Sequence, residues 1–303
     1  MREYIELGRQ IYHHRDTSDF NLQRFIVFVV RAYLHKQQVQ ELKTFFVENV
    51  VLQNIVSGNP IFFEQLTRHV FYHQSTVQDR FLLIKNHFAF CLEHFQAAAL
   101  EKIYYDQRLV LWEENYKQES LSIALDFQYV DRKEGLLSIE LSLGKQRVYH
   151  ITFGFSQDEN QKAVLWIGAL QGSFGGADCI RDLTKRFFGY RPKNLILYAL
   201  RLVGLQLKVD RIKAISNLGF FTNTHVRLDK KLKTSLDDFW QEAGGSLSND
   251  PRFFELPLLE KRKTIDEVKS QKRNLYRKRY KLLDAVAQQI SENLTLYLRG
   301  QSI

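Results

Sequence analysis

KAVLWIGALQGSFGGADCIRDLTKRFFGYRPKNLILYALRLVGLQLKVDRIKAISN, residues 162–217, is the stretch on which the fold turns. Its apolar run 163–170 is interrupted only by Gly168, the pattern of a strand buried on both faces. A turn carrying Gly172, Gly175 and Gly176 follows, then a short basic helix and the Arg191-Pro192-Lys193 corner. A long apolar helix is predicted over 192–207 and a second strand over 212–216. Strand, crossover helix and strand make a βαβ-type unit. Ligands of such units sit where the strand ends and the helix begins. The sequence therefore places a site near 170–176 without naming its chemistry.

Upstream of this unit the apolar period is two. Residues 121–130 and 137–143 alternate apolar with polar, and 148–155 follows after a short turn. The turns at 131–135, 144–146 and 157–161 are short and polar, which implies an antiparallel meander of four strands. Residues 1–118 read as helical throughout, with helices over 20–35, 38–56, 62–73 and 76–100. Asn59-Pro60 marks a break, and Ser75 or Thr76 caps the fourth helix. Downstream, Ser235 to Asp238 resembles a capping box, Gly244-Gly245 stops the short helix it starts, and 253–257 reads as an edge strand. Leu283, Val286, Ile290 and Leu294 lie at helical spacing near the C-terminus. The fold class is α+β in three parts. These are a helical region (1–118), a mixed, mostly antiparallel sheet core with crossover helices (119–257), and a basic, amphipathic C-terminal helix packed on the core (258–303).

With 45% hydrophobic and 25% charged residues among 303, the chain belongs with soluble globular proteins and not with disordered ones. Its net charge of +9 favours anionic partners: phosphate-bearing cofactors, nucleic acid or an acidic membrane surface. Residues 261–281 hold ten Lys or Arg against two Asp or Glu, so one segment carries nearly all of that excess. Within it, Arg273, Arg277, Lys278 and Arg279 are expected on a solvated helix face. They are either an anionic-surface contact or an ordinary charged face. No helix-turn-helix or zinc spacing accompanies them, which argues against sequence-specific DNA binding. Cys91 and Cys179 show no CxxC spacing and read as buried thiols in a reducing compartment. The N-terminus lacks the apolar core of a signal peptide, and the apolar run 25–30 is too short to span a bilayer. A cytoplasmic protein without a transmembrane segment is expected, any membrane contact being peripheral at the inner membrane.

The 171–176 turn could cradle a phosphate, because glycine permits close backbone approach and helix-start N–H groups attract anions. Lys185, Arg186, Arg191 and Lys193 could add charge, yet neither a Walker sequence nor G-x-G-x-x-G is present. The alternative is a tight turn beside a solvated basic face. His69 and His73 lie four apart on a predicted helix with Glu64 before them, but no further ligands stand at motif spacing, so no metal is expected. His150 on a strand and His225 in a loop are acid–base candidates.

Several of these pieces, in this order, resemble the VirK/YbjX family of bacterial proteins. They are Asp79-Arg80 to His87, Trp166-Ile167-Gly168-Ala169-Leu170-Gln171-Gly172, Gly189-Tyr190-Arg191-Pro192-Lys193 and Lys213-Ala214-Ile215-Ser216-Asn217. Asp238-Phe239-Trp240-Gln241-Glu242-Ala243-Gly244-Gly245 and Tyr276-Arg277-Lys278-Arg279-Tyr280 complete the set. Phe188 stands where the family often has histidine. The resemblance implies a setting in virulence, envelope remodelling and resistance to antimicrobial peptides, with no assigned activity. The order of elements is in turn similar to the GNAT N-acyltransferase fold, in which acyl-CoA pyrophosphate binds at the start of the main helix. That likeness implies an acyl donor held by Gln171, Gly172, Gly175, Gly176, Arg191 and Lys193, with His150, Ser216, Asn217 and Glu242 as acid–base or orienting groups. About fifteen residues, including an extra helix, separate the glycine turn from Pro192, where the GNAT loop is short. The competing expectation is a non-enzymatic protein that binds anionic membrane or nucleic acid through the basic segment.

Overall fold

A computed structural model describes residues 1–13, 21–105, 107–173, 175–224 and 235–300. His225 falls outside these residues, as does Phe174 of the glycine turn. Seven helices come first: α1 Arg2–His13, α2 Leu22–Leu34, α3 Lys36–Val47, α4 Val50–Gly58, α5 Ile61–Thr67, α6 Val77–His94 and α7 Ala97–Tyr104. Asn21, Asn49 and Thr76 cap α2, α4 and α6. The Asn49 side chain accepts from Val51 and Leu52 N–H, which restarts the helix expected to run unbroken over 38–56. Of the two cap candidates before α6, Thr76 forms the capping box with Asp79, while Ser75 donates to the Val70 carbonyl.

Two helical expectations give way to tertiary contacts. The helix expected over 76–100 divides at Phe95 and Gln96. There the Gln96 N–H donates to Tyr297, and Arg299 N–H donates to the His94 carbonyl, so the C-terminal tail takes backbone groups a continuous helix would need. The helix expected over 62–73 ends at Thr67. Beyond it Phe71 adopts φ 73° and gives its N–H to Lys133, and His73 gives its N–H to Gly219. His69 and His73 therefore share no helix face.

The sheet has eight strands: β1 Leu109–Tyr116, β2 Glu119–Asp126, β3 Leu137–Leu143, β4 Gln146–Gln157, β5 Ala163–Gly172, β6 Arg211–Ile215, β7 Ser246–Leu247 and β8 Phe253–Leu256. Their order is β1-β2-β3-β4-β5-β6-β8-β7. The meander thus holds five strands, since residues 109–116, expected to be helical, form an edge strand antiparallel to β2. β5 and β6 pair in parallel, joined by α8 Ala177–Arg186 and α9 Pro192–Gln206. α9 buries Leu195, Ile196, Ala199, Leu200 and Val203 and packs on β3, β4 and β5. Each such side chain is worth roughly 1.5–3 kcal/mol on full burial. Two further helices, α10 Leu236–Glu242 and α11 Ser270–Thr295, complete the described fold. α11 lies against α9 and β1 through Leu283, Val286, Ile290 and Leu294, the four positions the helical spacing singled out.

The basic start of α11 is divided in role. Arg277 and Lys278 are exposed as expected. Arg279 is not on a free face: its Nε and Nη2 donate to the Phe188 carbonyl at 3.1 and 2.8 Å, and it stacks on Tyr276. Arg273 donates to the Val268 carbonyl. Phe188 and Gly189 both have positive φ, so the guanidinium ties down a strained turn between α8 and α9. Arg279→Gln should lower stability by about 1–2 kcal/mol. Arg277→Gln should stay within about 0.5 kcal/mol of the native chain. Urea unfolding of the two variants measures the difference.

Among the described residues, no helix is long and apolar enough to cross a membrane. Cys91 is buried and Cys179 half-buried, and both are free.

Candidate functional site

Alternation along the strands sets one polar row across the sheet. Glu140 on β3 stands opposite His150 on β4, and His150 opposite Gln171 on β5. Asp126, Ser138 and Thr152 form the next row on the same face. A face of this kind ordinarily meets water. Here Asp126 is 1%, Glu140 7% and His150 5% exposed. The covering element is the loop from β2 to β3, which folds back over the strands. Two glycines allow it to approach. A Cβ on Gly168 would fall 1.7 Å from the Glu134 carbonyl oxygen, and one on Gly135 would fall 2.8 Å from the Phe153 backbone.

That loop brings Asp131 and Glu134 onto the row. Arg147 Nη1 is 2.8 Å from Asp131 Oδ2, and its Nε is 2.7 Å from Glu140 Oε2. Arg108 Nη2 reaches Glu140 Oε1 at 3.3 Å. Gln171 Nε2 donates to Glu134 Oε1 at 2.6 Å. His150 Nε2 lies 3.4 Å from Asp131 Oδ1, a long contact, and Arg147 Nη1 lies 3.4 Å from His150 Nδ1. Burial, then the charge of Asp131, pushes the Glu134 carboxyl up to about 8. Burial also raises Asp126 to about 6. For Asp131 burial works upward, but His150 and Arg147 outweigh it and hold the carboxyl below its ordinary value.

A second feature lies on the opposite face, because Tyr149 precedes His150 on β4. A pocket of about 330 Å³ is lined by Tyr149, Ile180, Thr184 and Pro192 and rimmed by Arg181, Lys185, Arg191 and Lys193. It opens at the start of α9, where Arg191 occupies the N-cap without a side-chain acceptor for the first-turn N–H groups. Gly172 stands opposite Tyr149, whose ring lies across it. Arg191 pairs with Glu242 at 2.5 Å, and Lys193 sits 4.5 Å over the Phe239 ring. Burial first, then Arg191, lowers the Lys193 pKa.

The structure thus gathers Arg191, Lys193, Gly172 and Glu242 at one pocket, and His150 and Gln171 in the buried cluster behind it. Gly175 and Gly176 form the turn into α8, Gly176 as its N-cap. The Ser216 hydroxyl donates to Pro251 and accepts from Gly219 N–H. Asn217 accepts from Leu236 N–H and donates to Ser235, holding the start of α10. Sequence reasoning missed Asp131, Glu134, Glu140 and Arg147. The available signal was Glu140 in a strand opposite a histidine, with two acids, Asp131 and Glu134, in the turn before that strand.

The family described as a protein of unknown function (DUF535) matches residues 18–292. An uncharacterized protein of Haemophilus influenzae is 27% identical over 179 residues, 57% of this chain and 58% of its own length. The uncharacterized protein YbjX of Escherichia coli is 34% identical over 145 residues, 46% of this chain and 43% of its own, in keeping with the resemblance read from the motifs. A second uncharacterized protein of H. influenzae is 31% identical over 151 residues, 49% and 48% of the two lengths. The chain spans about half the length of the curated relatives it matches. No solved structure matches it.

Proposed function

The chain belongs to the DUF535 family of proteins of unknown function, and within that family we propose that it is an acyltransferase using acyl-CoA or a similar phosphate-bearing thioester. One observation carries the reading. The parallel pair β5 and β6 stays in register only from Val164↔Arg211 to Ile167↔Ala214. β5 then runs on to Gly172 past an irregularity at Gly168, where Thr152 faces Ala169 and Phe153 faces Ile167. β6 ends at Ile215, so β5 runs on to Gly172 beyond its parallel neighbour, and an open strand edge beside the basic start of a crossover helix gives a thioester a slot and its phosphates a seat. This arrangement, with the order β5-β6-β8-β7, is similar to the GNAT fold.

In this reading Arg191 and Lys193 neutralise the donor phosphates and Tyr149 packs against the donor chain. The acceptor approaches at the end of β5 near Gly172, since the face carrying His150 is covered by the loop from β2 to β3. The acceptor nitrogen attacks the thioester carbonyl, a C–N bond replaces the C–S bond, and the thiol leaves with the proton released from nitrogen. The setting we propose is the one the family resemblance implies, bacterial envelope and stress physiology.

Acyl-CoA at about 100 times its dissociation constant should stabilise the chain by roughly 3 kcal/mol and raise its melting temperature by several degrees. Arg191→Gln together with Lys193→Gln should remove most of that rise. No shift with short, medium or long acyl-CoA at millimolar concentration would sink the acyltransferase reading.

A further inference from the structure

We propose that Asp131, Glu134 and His150 form a site for one divalent transition-metal cation, with zinc as the fitting probe. Their donor atoms all lie within 4.8 Å of one another. Glu134 is 8% exposed and His150 5%, and Glu134 Oε2 and His150 Nε2 are buried without hydrogen-bond partners. Native interiors seldom leave two such atoms unsatisfied side by side, because each costs about 1–3 kcal/mol. A cation between them satisfies both.

The surroundings are arranged as a metal's outer shell would be. Each carboxylate has one oxygen held and the other turned inward. Arg147 holds Asp131 Oδ2, leaving Oδ1 beside His150, and Gln171 holds Glu134 Oε1, leaving Oε2 free. Charge points the same way. Arg108 and Arg147 pair with Asp126, Asp131 and Glu140 on the covered face, whereas Glu134 meets the neutral amide of Gln171 and no guanidinium. A divalent ion supplies the missing positive charge. One imidazole nitrogen with two carboxylate oxygens is a donor set zinc accepts, and three protein ligands leave a fourth position open. Binding at Nε2 places the ring proton on Nδ1, so Arg147 gives up its 3.4 Å contact there and keeps its two carboxylates.

This site is independent of the acyl donor, and its test involves no acyl-CoA. Zinc is titrated calorimetrically into the full chain after chelator treatment. The expected result is one saturable site per chain of micromolar affinity or tighter, with a matching rise in melting temperature. Glu134→Gln and His150→Gln should each weaken binding by more than about 100-fold, and Gln171→Met, which loses only the outer contact, by about 10–100-fold. Magnesium, which needs an oxygen octahedron, should leave the melting temperature unchanged at the same concentration. Should His150→Gln fail to fold, Glu134→Gln decides, because it replaces a carboxyl by an amide of the same shape. The proposal is overturned if no zinc site is seen up to ~1 mM. It is equally overturned if Glu134→Gln binds zinc as tightly as the native chain.

Discussion

Gly168→Ala should destabilise the chain by about 3 kcal/mol or more, a single methyl group with the effect of a large core lesion. The added Cβ would stand 1.7 Å from the Glu134 carbonyl oxygen, 2.8 Å from its carbon and 2.9 Å from the Trp166 ring. Cβ has no rotamer, and its nearest neighbour is backbone, so no side-chain rotation relieves the clash. Either the loop carrying Asp131 and Glu134 lifts off the sheet, or β5 shifts register at its irregularity. Each outcome separates Glu134 from Gln171 and exposes the polar row beneath. Gly175→Ala is the contrasting case. Its φ of 77° costs a side chain roughly 1–2 kcal/mol, but nothing lies within 4 Å of the added atom. Urea denaturation ranks the two. A Gly168→Ala protein within about 1 kcal/mol of the native chain would mean that the loop does not rest on β5.

The second large effect is acid sensitivity centred on His87. This residue is fully buried between α6 and β4. Its Nδ1 accepts from Phe155 N–H at 3.2 Å, which places the proton on Nε2, 2.6 Å from the Tyr104 oxygen. Tyr104 donates in turn to the Leu136 carbonyl at 3.2 Å. Burial holds the imidazole down to about 3, against an ordinary 6.5. The fold therefore favours the neutral ring. This contribution is complete above pH 6.5 and is lost as pH falls from 6.5 toward 3, because the unfolded chain binds the proton first. The loss should reach roughly 4 kcal/mol near pH 3. Carboxylates add their own slope below pH 5, so the informative comparison is with His87→Gln. That variant should be less stable at pH 7 and should lose less between pH 6.5 and 4.5. Parallel curves for the two proteins would show that His87 is not held neutral by the fold.

Local signals carried the architecture where they were self-sufficient. The alternation over 137–143 and the apolar run at 163–170 became β3 and β5, and the spacing of Leu283, Val286, Ile290 and Leu294 gave the buried face of α11. The hairpin from β1 to β2 was hidden because its turn residues, Lys117 and Gln118, take positive φ without the glycine or asparagine that would announce it. The buried cluster was hidden for another reason. Ser138, Glu140 and Ser142 spell a solvated face, and the returning loop together with Arg108 and Arg147 makes them interior. That loop's path depends on Gly168, more than thirty residues further on, so no local pattern contains it. The pocket at α9 was half legible: the corner Arg191-Pro192-Lys193 marked the place, but its pairing with Glu242 and Phe239 is a matter of packing.

If the start of α9 receives the phosphates of an acyl donor, as we propose, a paired titration should reveal them. Coenzyme A and pantetheine, which lacks its phosphates and adenosine, are titrated by calorimetry into the native chain and into the Arg191→Gln, Lys193→Gln double variant. Native protein should bind coenzyme A at least about 100-fold more tightly than pantetheine, since each lost charge-assisted contact costs about 1.5–3 kcal/mol. In the double variant that preference should fall below about tenfold. Equal affinity of the native chain for the two ligands, or a preference that survives the double substitution, would mean that Arg191 and Lys193 do not seat the donor phosphates.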